Sequence, residues 1–133
     1  MILALLLAAA VSVPSRADAT SDAQQLACYQ RAVRQQGQRG MNICARDAYD
    51  RAEKAMEAQW KQLLDVVKGH VQETKQLNSS QETWLAYRAA WCRAAAWDDR
   101  GQSDWVQMHY GCLAELTRQR TKELGDLLLG DGY

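Results

Sequence analysis

Four cysteines are the residues of this 133-residue chain whose type and spacing point most directly to chemistry: Cys28, Cys44, Cys92 and Cys112. Cysteine thiols form disulfides, bind zinc or act as nucleophiles. No Cys-x-x-Cys motif occurs, and His109-x-x-Cys112 is only half of a zinc motif. We therefore predict two disulfides and no metal site, which is typical of proteins outside the reducing cytoplasm.

An apolar leader at the N-terminus agrees with that compartment. Residues 1–13 read MILALLLAAAVSV, shorter than the ~20 residues that a membrane-spanning helix needs. Small residues at Ala17 and Ala19 favour signal-peptide cleavage after Ala19, the alternative being a buried apolar helix. No cysteine lies close enough behind the leader for a lipid anchor. We expect a periplasmic or secreted protein with a mature domain over residues 20–133 and no membrane anchor after cleavage.

Composition predicts one helical domain. The 16 basic and 16 acidic side chains give a formal net charge of zero, so no overall field favours nucleic acid. The single proline lies in the leader, and Ala, Gln, Glu, Arg and Leu dominate the rest. The fold class expected is all-α, a small disulfide-stapled bundle of three main helices plus a short N-terminal helix.

Caps and helical periodicity place the elements. The predicted helices cover residues 21–36, 42–74, 81–97 and 103–129. Spacings of three and four residues predict a buried stripe on the second of these helices, formed by Ala45, Tyr49, Ala52, Met56, Trp60, Leu63 and Val67. A second stripe is predicted on the last helix, formed by Trp105, Met108, Cys112, Leu116, Arg120 and Leu124. Gly37 and Gly40 are predicted to bracket a break, with Asn42 as the next N-cap. Residues 77–80 read Leu-Asn-Ser-Ser and predict a turn.

The predicted helices and their connections discriminate among the three possible cysteine pairings. A hairpin about residue 78 would set Cys92 beside Leu63, leaving Cys44 ~28 Å further along the axis, beyond the reach of a disulfide. A hairpin about residue 101 instead brings Cys92 near Cys112, and Cys28 lies near Cys44 across the glycine break. The prediction is therefore Cys28–Cys44 and Cys92–Cys112.

Arg88 is the most unusual charged residue, because it lies among aromatic residues on a helix face that should be buried. A buried guanidinium needs a carboxylate or several carbonyl oxygens. We expect Glu53 as its partner in a structural ion pair, with Arg120 as a second buried cation. The alternative is a binding site for an anionic ligand.

No catalytic or cofactor site is evident in the sequence. The two histidines, His70 and His109, have no serine or cysteine beside them in a nucleophile motif, and oxidised cysteines cannot act as nucleophiles. Phosphate-binding loops, haem motifs and helix-turn-helix signatures are also missing. We expect a protein that is not an enzyme and uses no cofactor.

The polar segment between the last two predicted helices is the candidate for binding a partner. It adjoins the second predicted disulfide, so both of its ends should be held in place. An ordinary connector is the alternative. The candidate residues are Trp97, Asp98, Asp99, Arg100, Gln102, Ser103, Asp104 and Trp105.

Three groups of residues, in chain order, carry a resemblance to a known family. They are Met41-Asn42-x-Cys44-Ala45 with Tyr49, Ala52-Glu53, Met56, Trp60 and Leu63; then Trp84-Leu85-x-Tyr87-Arg88-x-x-x-Cys92; then Cys112-Leu113-x-x-Leu116-Thr117-x-x-Arg120-x-x-x-Leu124. The set resembles the N-terminal domain family of the bacterial lysozyme inhibitor LprI. The chain departs from the family pattern at Glu53, Glu57 and Ala89.

The resemblance implies an exported helical domain, of which one branch inhibits lysozyme. Lysozyme-type muramidases cut with two carboxylates in a cleft. Arg100, Gln102 and Ser103 could donate hydrogen bonds to those carboxylates, and the neighbouring aspartates could meet a basic rim. The alternatives are an envelope-binding module that uses Trp97 and Trp105, and a purely structural role.

Overall fold

Four α-helices form the structure, a computed structural model of the chain that describes residues 16–130, with side chains from residue 20. They are α1 (Arg16–Gln35), α2 (Gly37–Val66), α3 (Val71–Ala95) and α4 (Trp105–Leu129). No strand occurs in this described part. The all-α prediction is confirmed. The predicted leader lies outside the described residues.

Contacts between the helices define an up-down arrangement around the α2–α4 pair. The Cys28–Cys44 bond sets α1 antiparallel to α2, and the Cys92–Cys112 bond sets α3 antiparallel to α4. Because α2 and α3 are also antiparallel, α2 and α4 run in the same direction, and they share the most extensive packing. α1 packs chiefly on α2 and α3 packs chiefly on α4, so the α2–α4 pair forms the centre of the bundle.

Small side chains let the helices approach one another at one end of the bundle. Ala32 of α1 and Ala45, Ala48 and Ala52 of α2 are all buried. Larger residues fill the other end, where Met56, Leu63 and Leu124 form the core cluster, and Trp60, Leu77, Trp84 and Leu128 pack around it. The apolar stripe predicted along α2 is therefore confirmed.

Both predicted disulfides are present. Cys28 and Cys44 have their Cα atoms 5.7 Å apart, and Cys92 and Cys112 have theirs 5.6 Å apart. Each bond closes a short loop between consecutive helices. Each should therefore stabilise the fold by about 3 kcal/mol through its effect on the unfolded chain.

The predicted break between the first two helices is shorter than expected. α2 begins at Gly37, which adopts a φ of +59°, and Gly40 lies inside the helix. The prediction of Asn42 as an N-cap is therefore wrong. Its side-chain amide instead donates to the carbonyl oxygen of Ser103 at 2.9 Å, so it links α2 to the segment before α4.

The turn predicted at residues 77–80 is wrong, because these residues lie inside α3. The chain reverses at residues 67–70, where Gly69 adopts a φ of +91°, a conformation that other residues rarely tolerate. This shift places Arg88 opposite Glu53, so Cys92 does not lie beside Leu63. The pairing of the cysteines was thus predicted correctly from an incorrect helix register.

The last helix agrees with its predicted limits. Asp104 is the residue before its first turn, and Gly130 ends it in the left-handed conformation that often terminates helices. Its buried residues are Leu113, Ala114, Thr117 and Leu124. Met108, which we placed on the buried stripe, is about half exposed.

Gly40 should not tolerate a side chain, although it lies within a helix. A Cβ atom there would come within 2.9 Å of the Ala32 Cβ atom and 2.6 Å of the Gln36 Cβ atom. We expect Gly40→Ala to destabilise the protein by about 1–3 kcal/mol through overpacking between α1 and α2. The matched control is Gly111→Ala, where nothing lies within 4 Å of the new atom.

Chemical denaturation measures both variants. Gly111→Ala should be neutral or stabilising by up to about 1 kcal/mol, as expected for a glycine in a helix interior. If the two substitutions change the free energy of unfolding equally, the close approach of α1 and α2 at Gly40 is wrong.

Candidate functional site

Arg88 lies at the junction of three helices. Its side chain is 9% exposed, and its guanidinium donates to the carboxylate of Glu53 on α2 and to Thr117 Oγ1 on α4 at 2.8 Å. Thr117, itself fully buried, donates onward to the carbonyl oxygen of Leu113 at 2.7 Å. The guanidinium thus has protein partners on both sides, as a structural ion pair requires.

Aromatic rings enclose the same guanidinium. Its central carbon lies 4.9 Å from the ring centroid of Trp84 and 5.4 Å from that of Tyr49. Both distances are within the range of a cation–π interaction. The resulting cluster of Arg88, Glu53, Thr117, Trp84 and Tyr49 is called the Arg88 cluster below.

Arg120 does not join Glu53. Its Nε donates to Gln81 Oε1 at 3.0 Å, and one terminal nitrogen donates to Ser80 Oγ at 3.0 Å. The other terminal nitrogen pairs with Glu123 at 2.9 Å. Arg120 therefore binds the early part of α3 to α4. Its guanidinium carbon also lies 5.7 Å from the ring centroid of Trp84, so the two arginines share this indole.

Ionisation of Tyr49 should make the stability of the Arg88 cluster depend on pH in the alkaline range. Burial raises the pKa of its phenol above 10.0, and the neighbouring charge and hydrogen bond of Glu53 act in the same direction, while Arg88 acts against them. A raised pKa contributes stability below the unfolded-state value, which is lost as the pH rises through the folded-state value. Stability should therefore fall above pH 10.

The measurement is the free energy of unfolding from about pH 8 to about pH 11, around the normal tyrosine pKa. We expect Tyr49→Phe to show a shallower alkaline decline than the parent protein. Tyr87→Phe is the control, because that ring is half exposed on α3. If the stability of the parent and of Tyr49→Phe declines identically at alkaline pH, Tyr49 is not the cause of the decline.

The segment between α3 and α4 is held at both of its ends. We call residues 96–104 the connecting loop. The Cys92–Cys112 bond joins the helices that flank it, and Asn42 of α2 holds the carbonyl of Ser103. Backbone hydrogen bonds run through it, including Gln102 N–H to the carbonyl oxygen of Asp99 at 2.8 Å. These contacts fix the loop against α2 and α4.

Most of the predicted binding residues reach solvent on this loop. Trp97 is 66% exposed, and Asp98, Arg100, Gln102 and Ser103 are exposed as well. Asp99 and Asp104 are half-buried. Trp105 is half-buried too, and its ring stacks on His109 with centroids 4.6 Å apart. The structure thus brings together an indole, a carboxylate and a guanidinium on the exposed part of the loop.

The two histidines lie on different parts of the fold. His70 precedes α3, whereas His109 lies on α4 with its Nδ1 3.3 Å from the carbonyl oxygen of Cys92. In residues 16–130, no group of three His, Cys, Asp or Glu side chains is arranged to hold a metal ion. The helices described here also include none that is long and apolar enough to cross a membrane.

Sequence reasoning missed an exposed aromatic pair on α3. Tyr87 and Trp91 are 51% and 53% exposed, and their rings lie nearly parallel with centroids 6.3 Å apart. Their spacing of one helical turn was the available signal. Thr117 was also missed as a buried partner of Arg88, although it follows Leu113 by one turn on the buried side of α4.

These features define a small helical domain, braced by two disulfides, that presents a fixed polar loop. The chain belongs to the LprI lysozyme inhibitor family, since residues 28–124 match the family described as "Lysozyme inhibitor LprI". That description names an inhibitor and not a catalyst. An uncharacterized protein of Rhizobium meliloti (strain 1021) is 35% identical over 102 residues, which cover 68% of this chain and 73% of that relative. No solved structure gives a significant match.

Proposed function

We propose that the protein is an exported inhibitor of a lysozyme-type muramidase and that the connecting loop enters the enzyme's cleft. The observation that carries the proposal is the double anchoring of this loop, by the Cys92–Cys112 bond and by the hydrogen bond from Asn42 to Ser103. A loop already fixed in its binding conformation loses little entropy on association. Membership of the family supports the choice of target.

The exposed side chains on the loop suit a cleft that contains two carboxylates. Arg100 and Gln102 supply hydrogen-bond donors, and a hydrogen bond to a charged group is worth ~1.5–3 kcal/mol. Asp98 and Asp99 can meet basic residues around the cleft. Trp97 offers the kind of large, exposed aromatic surface that often dominates a protein interface.

Export follows from the same proposal, because the substrate of a muramidase lies outside the cytoplasm. Two disulfides and the family assignment support an extracytoplasmic location. We propose that the protein is periplasmic or secreted, with residues 1–19 removed as a signal peptide. N-terminal sequencing of the exported product should begin at Thr20.

The test is a cell-wall lysis assay with purified protein and lysozymes of several types. We expect inhibition by the parent protein and at least about tenfold weaker inhibition by Arg100→Ala/Gln102→Ala, since two hydrogen bonds to charged groups are lost. The matched control is Lys54→Ala/Lys61→Ala on the exposed face of α2. If micromolar parent protein leaves every lysozyme fully active, the proposed function is wrong.

The exposed aromatic residues favour a second candidate, an envelope-binding module with a different partner protein. Trp97 on the loop and the Tyr87–Trp91 pair on α3 leave three large rings in contact with water. Affinity capture from envelope extract tests this candidate. Recovery of a partner other than lysozyme that is lost with Trp97→Ala but kept with Trp105→Ala would favour it over inhibition.

A further inference from the structure

A groove of about 700 Å³ lies at the end of the bundle opposite the connecting loop. The last turns of α2 and α4 and the first turns of α3 form its walls. Its position along α4, near Leu127, is ~33 Å from Trp105 at 1.5 Å per residue. The groove is therefore separate from the site of the proposed inhibition.

Aliphatic side chains form the floor of the groove. They include Val66 and Val67 from α2, Leu77 from α3, and Leu127 and Leu128 from α4. Val66 is 66% exposed and Leu127 is 37% exposed, so apolar surface here remains in contact with water. The described lining residues include no aromatic side chain. Such a surface suits the leucine-rich face of a helix.

The rim of the groove is mainly acidic. The charged lining residues are three acids, Glu73, Glu123 and Asp126, and one cation, Arg120. Arg120 already pairs with Glu123 and donates to Ser80. Asp126 pairs with Lys122 at 2.5 Å, but the Lys122 side chain is 69% exposed. Because such surface pairs are worth little, Asp126 can exchange this partner for an incoming cation.

We infer that this groove binds an amphipathic helix with an aliphatic face and basic flanks, presented by a partner protein. The aliphatic floor takes the apolar face, and the rim carboxylates take the lysine or arginine side chains beside it. An acidic helix or an anionic lipid headgroup would meet like charge at Glu73 and Asp126. Because the groove and the connecting loop lie at opposite ends, the protein can hold two partners at once.

The probe for this inference is a synthetic leucine–lysine helix of about four turns. Trp60 and Trp84 pack on the core beneath the groove, so their fluorescence reports binding. We expect the leucine–lysine peptide to bind at least about tenfold more tightly than a leucine–glutamate peptide of the same pattern. This difference should shrink as salt is added, because the rim charges are exposed.

Two pairs of substitutions separate the contributions of floor and rim. The floor pair is Val66→Ser/Leu127→Ser, and the rim pair is Glu73→Gln/Asp126→Asn. Each pair should lower the affinity for the leucine–lysine peptide by about fivefold or more. Both pairs leave the Arg120–Glu123 ion pair intact. The controls are Val33→Ser, at an equally exposed valine on α1, and Asp47→Asn/Glu57→Gln on the exposed face of α2. Circular dichroism checks that each variant remains folded.

The inference is overturned if the two peptides bind equally, or if the groove and control variants bind the leucine–lysine peptide alike. Inhibition of lysozyme is a separate readout in the same variants. Groove substitutions should leave it unchanged, and loop substitutions should leave peptide binding unchanged. Failure of the peptide experiment therefore does not bear on the proposed inhibitor function.

Discussion

Replacing Arg88 with methionine is expected to lower the free energy of unfolding by about 3–5 kcal/mol. The substitution leaves the Glu53 carboxylate, whose side chain is 25% exposed, without its cation at the junction of three helices. It also removes the donor to Thr117 and the cation between Trp84 and Tyr49. Urea denaturation of the parent and the variant measures the loss.

A double substitution distinguishes an unpaired charge from simple loss of packing. Arg88→Met/Glu53→Leu should recover at least half of the lost stability, because buried ion pairs are often replaceable by apolar side chains. The Arg88 Nε has no hydrogen-bond acceptor among the described residues, which makes such replacement easier. If the double variant is no more stable than Arg88→Met, unpaired charge is not the cause.

Arg118→Met is the control that tests whether the location of an arginine determines how much stability its loss removes. Arg118 pairs with Glu115 on the exposed side of α4, and both side chains contact water. Its loss should change stability by less than about 1 kcal/mol, as is usual for surface pairs. A loss as large as that of Arg88→Met would mean that location does not determine the effect.

The two disulfides should have equal effects on stability and unequal effects on inhibition. Cys28–Cys44 and Cys92–Cys112 have sequence separations of 16 and 20 residues. Loop-closure entropy therefore predicts that each bond stabilises the folded state by about 3 kcal/mol. Only the second bond, however, joins the helices on either side of the connecting loop.

Replacement of each cystine by two alanines tests this difference. We expect Cys92→Ala/Cys112→Ala to weaken lysozyme inhibition by about tenfold or more, because the loop must then be ordered on binding. Cys28→Ala/Cys44→Ala should inhibit lysozyme almost as well as the parent protein under conditions in which the variant remains folded. Equal inhibition by both folded variants would show that the second bond does not preorganise the loop.

Much of the architecture could be predicted from local features of the sequence. Helical periodicity located the buried stripe of α2, and the predicted reversals near residues 37–40 and 101 indicated the pairing of the cysteines. The largest error lay at residues 77–80, where turn-forming residues occur inside a helix. Ser80 accepts a hydrogen bond from Arg120, and Thr83 Oγ1 donates to the Ser79 carbonyl oxygen, so tertiary and local contacts stabilise a helix there.

The site was harder to predict because it depends on distances between helices. The ion pair between Arg88 and Glu53 could be predicted from burial and charge alone, since both properties follow from the pattern of neighbouring residues. Thr117 could not be found in this way, because a threonine on a helix carries no charge that demands a partner. Likewise, the tether from Asn42 to Ser103 depends on the parallel packing of α2 and α4, which no local pattern specifies.

Each cystine joins two cysteines that are consecutive in the chain, and this order matters for biosynthesis. In a polypeptide that crosses a membrane with its N-terminus first, Cys28 and Cys44 emerge before either of the later thiols. An oxidase acting on the emerging chain therefore forms the native bonds in order, without competing thiols at the first step. Maturation should proceed without an isomerase to reshuffle mispaired bonds.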